Sequence, residues 1–307
     1  MNKFILKKEN YFLVGNSRNY WNNHFEILEI IKNTNNSHHY KAMLFLNYGY
    51  EGNYFKKLHE FAQKINKVAA DIQFPLYDEE NDVPDDPNAY GIVKWMEGDK
   101  HVLIYDKFDI WKVDPFGKEK SIILTSGRKN LIQSRLVNLD EDKKFINSND
   151  TILLKTYNEK TKGSGVSKLF FGNNGKLNLV QTTIPISDCF ITNIVQSKNS
   201  TNFIFTKEKY ESSPNLYSAT LSGINKFTDL NTQQASYNWG SAELFQWKAY
   251  TGKLSEGVLY KPENFDAKKK YPMIVYFYER NNQTLYNYIP PTPTPLRLNI
   301  SFFVSRG

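Results

Sequence analysis

Apolar and polar residues alternate in short runs through the middle of the chain, and the runs recur. His101 to Thr125 reads HVLIYDKFDIWKVDPFGKEKSIILT, Thr151 to Val180 reads TILLKTYNEKTKGSGVSKLFFGNNGKLNLV, and Asn202 to Thr228 reads NFIFTKEKYESSPNLYSATLSGINKFT. Each opens with a β-rich run, at Val102–Tyr105, Ile152–Tyr157 and Phe203–Thr206. A polar stretch follows, then a second strand carrying a large apolar or aromatic residue, Trp111, Phe170 or Tyr217. A glycine turn at Gly117, Gly175 or Gly223 leads to a third short strand. Alternating strands separated by Gly or Asn turns predict β-hairpins. The opening strands begin near residues 101, 152 and 203, and a period of about 50 built from short strands is a β-propeller signal. At ~50 residues per blade, residues 1–240 hold four or five blades at most, of which three are clear. The pattern predicts a partial propeller, with YFLVGNS and HFEILEI near the start as candidate remnants of an earlier blade.

Two inserts interrupt the strands near 54–91. In YFKKLHEFAQKINKVAADI, apolar residues fall at Phe55, Leu58, Ala62, Ile65, Ala69 and Ile72, with Lys56, Lys57, Lys64 and Lys67 opposite. That spacing predicts an amphipathic helix packed on the strands. DEENDVPDDPNAYG follows. Its six carboxylates do not match a calcium loop in spacing, and Pro84 and Pro87 stiffen it, so it reads as a solvated, turn-rich loop.

From Ser241 the pattern changes. AELFQWKAYTGKLSEGVLYKPENFD predicts a hairpin with its turn at Thr251-Gly252-Lys253. Lys268–Lys270 then precede Pro272–Tyr278, an almost uninterrupted apolar and aromatic run. Such a run predicts a strand buried on both faces, as in a parallel sheet between helices. Pro290, Pro291, Pro293 and Pro295 keep the next segment extended, and ISFFVSRG predicts a short helix ended by Gly307.

Composition narrows the class. Aromatics make up 15% of 307 residues, which suits a strand-rich protein with a sizeable core. No apolar run reaches the ~18 residues of a membrane helix, and MNKFILKKENYF does not have the form of a signal peptide. The compartment stays open between cytoplasmic and exported. Cys189 is the one cysteine, expected to be a buried, inert thiol. The net charge of +7 is scattered rather than gathered into a basic stripe, so nucleic acid is not an expected partner. His38-His39 has no second ligand pair spaced to complete a metal site. No cofactor is indicated, and oligomerisation is left open.

The segment YNWGSAELFQWKAYTGKLSEGVLYKPENFDAKKKYPMIVYFYER resembles the junction of the prolyl oligopeptidase family of serine peptidases, in its dipeptidyl-peptidase and acylaminoacyl-peptidase branches. The likeness runs from about Phe74 onward and includes DVPDDPNAYG and YDKFDIWKVDP; residues 1–70 match less well. The resemblance implies residues 1–240 as part of a β-propeller that gates peptide access. It implies residues 241–307 as the incomplete start of an α/β-hydrolase domain. In that family a tyrosine after this strand often donates to the oxyanion hole, and the matching position is Tyr278. A phenol with pKa near 10 stays protonated and donates. Here YER replaces the family's Tyr-Ala-Gly-Pro type of turn, and the alternative is a core aromatic at a strand end.

The rest of the machinery does not appear. No serine in these 307 residues sits in G-x-S-x-G, the nucleophile elbow of such domains. KGSGVSK at 162–168 comes nearest and lies in a predicted hairpin. His24, His38, His39, His59 and His101 all precede the hydrolase segment. Glu79-Glu80 lies in surroundings unlike the family's paired glutamates and takes no role over from them. The expected activity is peptide-bond hydrolysis by a longer parent, with this chain inactive alone. The alternatives are a propeller acting only in binding, or a decayed product without activity.

Overall fold

The computed structural model describes residues 11–14, 41–44, 69–84, 86–172, 179–197, 200, 202–220, 223–277, 280–293 and 298–306. Two compact units divide the chain: Met1–Leu154 with Lys168–Gln181, and Lys155–Ser167 with Thr182–Gly307. The described residues are mainly β, in several sheets.

In the first unit, β1 (Tyr11–Val14) and β2 (Lys41–Leu44) form a parallel pair. Then β3 (Ile92–Met96), β4 (Val102–Tyr105), β5 (Ile110–Val113) and β6 (Ile122–Ile123) form an antiparallel meander. Strand β7 (Ile132–Leu136) belongs to the next sheet, and β8 (Phe145–Ile146) adds to the β3 edge in parallel. The period of two along β4 explains why the meander is buried on both sides. Leu103 faces a cluster with Met96, Ile110, Leu124, Ile146, Ile152, Leu154 and Leu169, while Val102 and Ile104 pack with Val113, Trp95 and Trp111 on the other face. Each of these side chains contributes roughly 1.5–3 kcal/mol on full burial.

The polar stretch between β4 and β5 is a buried turn. Asp106 accepts from the amides of Phe108 and Asp109, each at 2.7 Å, and from Trp111 Nε1 at 2.9 Å. Asp109 accepts from Thr125 Oγ1 at 2.7 Å, Gly127 N at 2.6 Å and Arg128 N at 3.2 Å. Two carboxylates thus satisfy backbone donors that the tight turn leaves without ladder partners.

Strands β9 (Thr151–Asn158), β10 (Ser164–Phe170) and β11 (Leu179–Ser187) join β7 in a four-stranded sheet of order β11-β10-β9-β7. Strands β9, β10 and β11 each have residues in both units. In the second unit, β12 (Phe190–Gln196), β13 (Phe203–Lys209), β14 (Ser212–Thr220) and β15 (Gly223–Lys226) form an antiparallel meander. Its buried face carries Ile191, Phe203, Phe205 and Ala219. Strands β16 (Ser241–Lys248) and β17 (Leu254–Lys261) form the hairpin expected after Ser241. The turn closes through Ala249 N to Lys253 O at 2.8 Å, and Gly252 takes φ +81°, a conformation that glycine adopts without steric cost.

The three opening runs lie within β4, β9 and β13, and Trp111, Phe170 and Tyr217 fall on β5, β10 and β14. Gly117 takes a turn conformation at φ +64°, but Gly223 begins β15, and Gly175 lies outside the described residues. Most of the expected helix, residues 54–68, also lies outside them, as do His24, His38, His39, His59 and Gly307. The acidic loop forms exposed turns, tied by Asp78 N to Asn88 O at 2.7 Å and Lys107 Nζ to Glu80 Oε1 at 2.7 Å. The terminal helix is Ile300–Val304, capped by Asn299 Oδ1, which accepts from Phe302 N at 3.1 Å.

One expectation is overturned. Residues 272–277 form no strand, and Met273 to Phe277 are exposed rather than buried. A strand exists only through a pairing partner. The neighbouring hairpin pairs β16 with β17 alone, so the run has no strand partner among the described residues. Its apolar composition, which suits a buried strand, does not supply the partner.

Candidate functional site

Tyr278 lies outside the described residues. The described segment after it, from Arg280 onward, belongs to the second unit. The 3₁₀ turn Asn282–Thr284 brings Asn282 Nδ2 within 2.6 Å of Glu256 Oε1 on β17. Glu256 also accepts from Gln246 Nε2, its cross-strand neighbour on β16, at 3.3 Å. Its third partner is the Lys162 ammonium, delivered by the turn between β9 and β10. That turn is shaped by Asn158, whose side chain accepts from Lys160 N at 2.8 Å and Thr161 N at 3.0 Å, and Lys162 takes φ +63°. Lys162 is nearly fully buried, and a charge there requires a partner.

Burial works against the Glu256 carboxylate, but the bonds from Lys162, Asn282 and Gln246 outweigh it and hold its pKa below the usual value. Glu256 is therefore an ionised acceptor at neutral pH, unsuited to give up a proton there. The Tyr157 hydroxyl is buried with no hydrogen-bond partner among the described residues. Burial, with Glu159 and Glu256 nearby, pushes it up to about 12.

A cluster of aromatic rings supports the same region. Tyr210 is fully buried and meets Tyr260 of β17 at 4.9 Å and Trp239 at 6.2 Å between ring centres. Trp239 donates from Nε1 to Tyr210 O at 2.7 Å and stacks on Tyr288 at 5.2 Å and 2°. Burial pushes Tyr210 up to about 12 and raises Tyr260 and Tyr288 as well. These phenols stay protonated at any physiological pH. Ser301 Oγ donates to Ile289 O at 2.5 Å and ties the terminal helix to the segment after the turn.

Acyl transfer needs a nucleophile, a base and oxyanion donors. His101, the one histidine among the described residues, belongs to the first unit and meets Glu119 Oε2 at 3.2 Å rather than a serine hydroxyl. Cys189 is fully buried, with Ser187 Oγ at 3.2 Å from its sulfur, and access to substrate is closed to it. The described part of the site positions and buries; it offers proton donors and a fixed anion. The Lys162–Glu256–Asn282 linkage, which spans distant positions in the chain, leaves no local sequence signal beyond an acidic residue within an amphipathic hairpin.

No family model matches the chain, and no curated protein matches it. Among solved structures, it is similar to the AtxE2 isopeptidase, a serine-to-alanine variant with astexin3-dC4 bound, at 10% identity and a TM-score of 0.41, over 62% of this chain and 28% of that one. A second likeness is to the acylaminoacyl peptidase of Pyrococcus horikoshii, at 12% identity and a TM-score of 0.36, over 60% and 27%. A third is to an acylaminoacyl peptidase in complex with Z-Gly-Gly-Phe-chloromethyl ketone, at 13% identity and a TM-score of 0.35, over 61% and 28%. The chain spans less than a third of the length of each of these structures.

Proposed function

We propose that this chain is part of a serine peptidase of the prolyl oligopeptidase type. In this reading, residues 1–240 contribute blades of a β-propeller that gates access of peptides, and 241–307 begin the α/β-hydrolase domain. The observation that carries it is the junction sequence from Tyr237 to Arg280, which follows three sheets of four or five strands. The radial arrangement of those sheets is part of the proposal. So is the role of Tyr278: its hydroxyl donates to the oxyanion as the tetrahedral intermediate forms, where a fixed donor stabilises developing charge. Asn282, four positions beyond Tyr278 in the sequence, is tied to Glu256 of β17. The nucleophile and its base come from outside these 307 residues.

A second reading has its own support. The absence of G-x-S-x-G from the 307 residues, with every histidine at or before residue 101, fits a propeller acting in binding alone. The gene beyond codon 307 separates the two. A G-x-S-x-G followed by Asp and then His supports the peptidase reading, and a stop codon there supports the binding reading.

A further inference from the structure

Strand β3 differs from the first strands of the two four-stranded sheets. Among the described residues, β7 and β12 end their sheets, whereas β3 carries β8 on the edge away from β4. The pairing is short and parallel, with Trp95 opposite Phe145 and Met96 opposite Ile146. Strand β8 belongs to the segment that joins β7 to β9, and that segment is tied down at both ends. At one end Val137 N donates to Leu153 O at 2.8 Å, and Lys94 Nζ of β3 donates to Asn138 Oδ1 at 2.9 Å. At the other end Ile146 is buried in the cluster with Met96, Leu103 and Leu154, and Asn147 N donates to Asp150 Oδ2 at 2.6 Å. Residues 138–145 between these anchors are all exposed. Asp140, Glu141, Asp142, Lys143 and Lys144 stand in a row, and their charges keep the tip in water instead of packed on the sheet.

The last strands, β6, β11 and β15, hold the exposed Ile122, Leu179 and Ile224, whereas β3 and β7 have no exposed residue. In a radial arrangement around a central channel, the first strands then face the axis and the last strands the rim. We propose that residues 138–145 form a strap on the axial side of β3 that limits the entry of long peptides, with β8 as its latch. The inference rests on the peptidase reading, of which the radial arrangement is part. Two paired residues and one buried side chain, Ile146, hold the latch. Elements with few buried contacts open locally, at much less cost than unfolding of a whole sheet. The strap can therefore leave the edge of β3 while β4 and β5 keep their ladder and their buried Leu103 and Ile110. Movable segments of this kind control access rather than chemistry. A short peptide passes the closed strap, and a long one needs it displaced.

The test uses two peptides with the same cleavage sequence, one short and one long and unstructured, on a version extended to a complete hydrolase domain. Replacing Leu139–Lys144 with a shorter Gly-Ser linker removes exposed side chains only and leaves β8 in place. It should raise kcat/KM for the long peptide about tenfold while that for the short one stays within ~2-fold. Equal changes, or none, with both peptides cleaved, would overturn the strap and leave the peptidase reading standing. Cleavage of neither peptide by the extended protein would fail that reading itself. Hydrogen exchange on the 307-residue chain supplies a second measurement, independent of activity. The amides of β8 should exchange before those of β4 and β5. Exchange of β8 only together with β4 and β5 would mean that the latch opens by unfolding the sheet, and would also overturn the proposal.

Discussion

The Lys162–Glu256 pair gives the sharpest quantitative expectation. The Lys162 side chain is 5% exposed and that of Glu256 25%. Glu256→Gln keeps the shape but leaves the ammonium buried without its anion. Removing one member of a buried pair costs about 3–5 kcal/mol. The upper part of that range applies here, because Lys162 is the more deeply buried partner. Lys162→Met leaves the carboxylate with Asn282 at 2.6 Å, Gln246 at 3.3 Å and some water, so its cost should fall near the lower end, ~3 kcal/mol. The double variant Lys162→Met/Glu256→Leu replaces both charges with apolar groups and should recover most of the loss. The pH dependence follows from the depressed pKa of Glu256. A group with a folded pKa below its unfolded value stabilises above the unfolded pKa and loses that contribution as pH falls through the folded one. This part of the stability is therefore present at pH 7, declines only below the ordinary value of 4.5, and shrinks in Lys162→Met, where only Asn282 and Gln246 still hold the carboxylate. Urea unfolding followed by tryptophan fluorescence, with Trp239 and Trp247 both in the second unit, reads these differences. If Glu256→Gln lies within ~0.5 kcal/mol of the wild type, as a surface substitution would, the pair does not hold the β9–β10 turn against β17 and the reasoning fails.

Asp109→Ala should remove at least ~2 kcal/mol, because it strips the acceptor from two buried donors, Thr125 Oγ1 and Gly127 N, at about 1–3 kcal/mol each, and from the part-buried Arg128 N; thermal unfolding of the first unit measures it. Gly240→Ala should destabilise the second unit by more than ~1 kcal/mol: Gly240 has φ +86°, and a Cβ there would meet Lys261 O at 2.2 Å and Val304 Cγ1 at 2.6 Å. In a version extended to a complete hydrolase domain, Tyr278→Phe should lower kcat by ~10²–10³ with little change in KM, the effect of losing one oxyanion donor; steady-state kinetics on a fluorogenic peptide decides it.

What the sequence revealed and what it hid have physical causes. The opening strands β4, β9 and β13 are apolar, β-branched and regularly spaced, so the repeat stands out. Each belongs to a sheet with a preceding strand, β3, β7 or β12, that the repeat does not display. Strand β12, FITNIVQ, breaks its alternation at a bulge between Thr192 and Val195, where Asn193 takes φ +50°, and β3 has a register shift between Ile92 and Lys94. Bulges disturb the period-two signal that marks a strand. The β16–β17 turn was readable because Thr-Gly-Lys chemistry fixes it locally. Conversely, MIVYFY carries a strong local preference, but strand formation depends on partners elsewhere, and local preference cannot provide them. The site divides in the same way. The Glu256 linkage joins residues 94 positions apart through a turn geometry that pattern alone does not expose.

Under the proposed function, these 307 residues would bring the gating and oxyanion side of a peptidase but not its nucleophile. Incubation of the purified chain with a serine-directed fluorophosphonate, read by intact-mass and peptide mass spectrometry, tests it most directly. No labelled serine and no turnover of a fluorogenic peptide are expected, since a nucleophile without an adjacent base is not activated. Stoichiometric labelling of a single serine within residues 1–307 would contradict it.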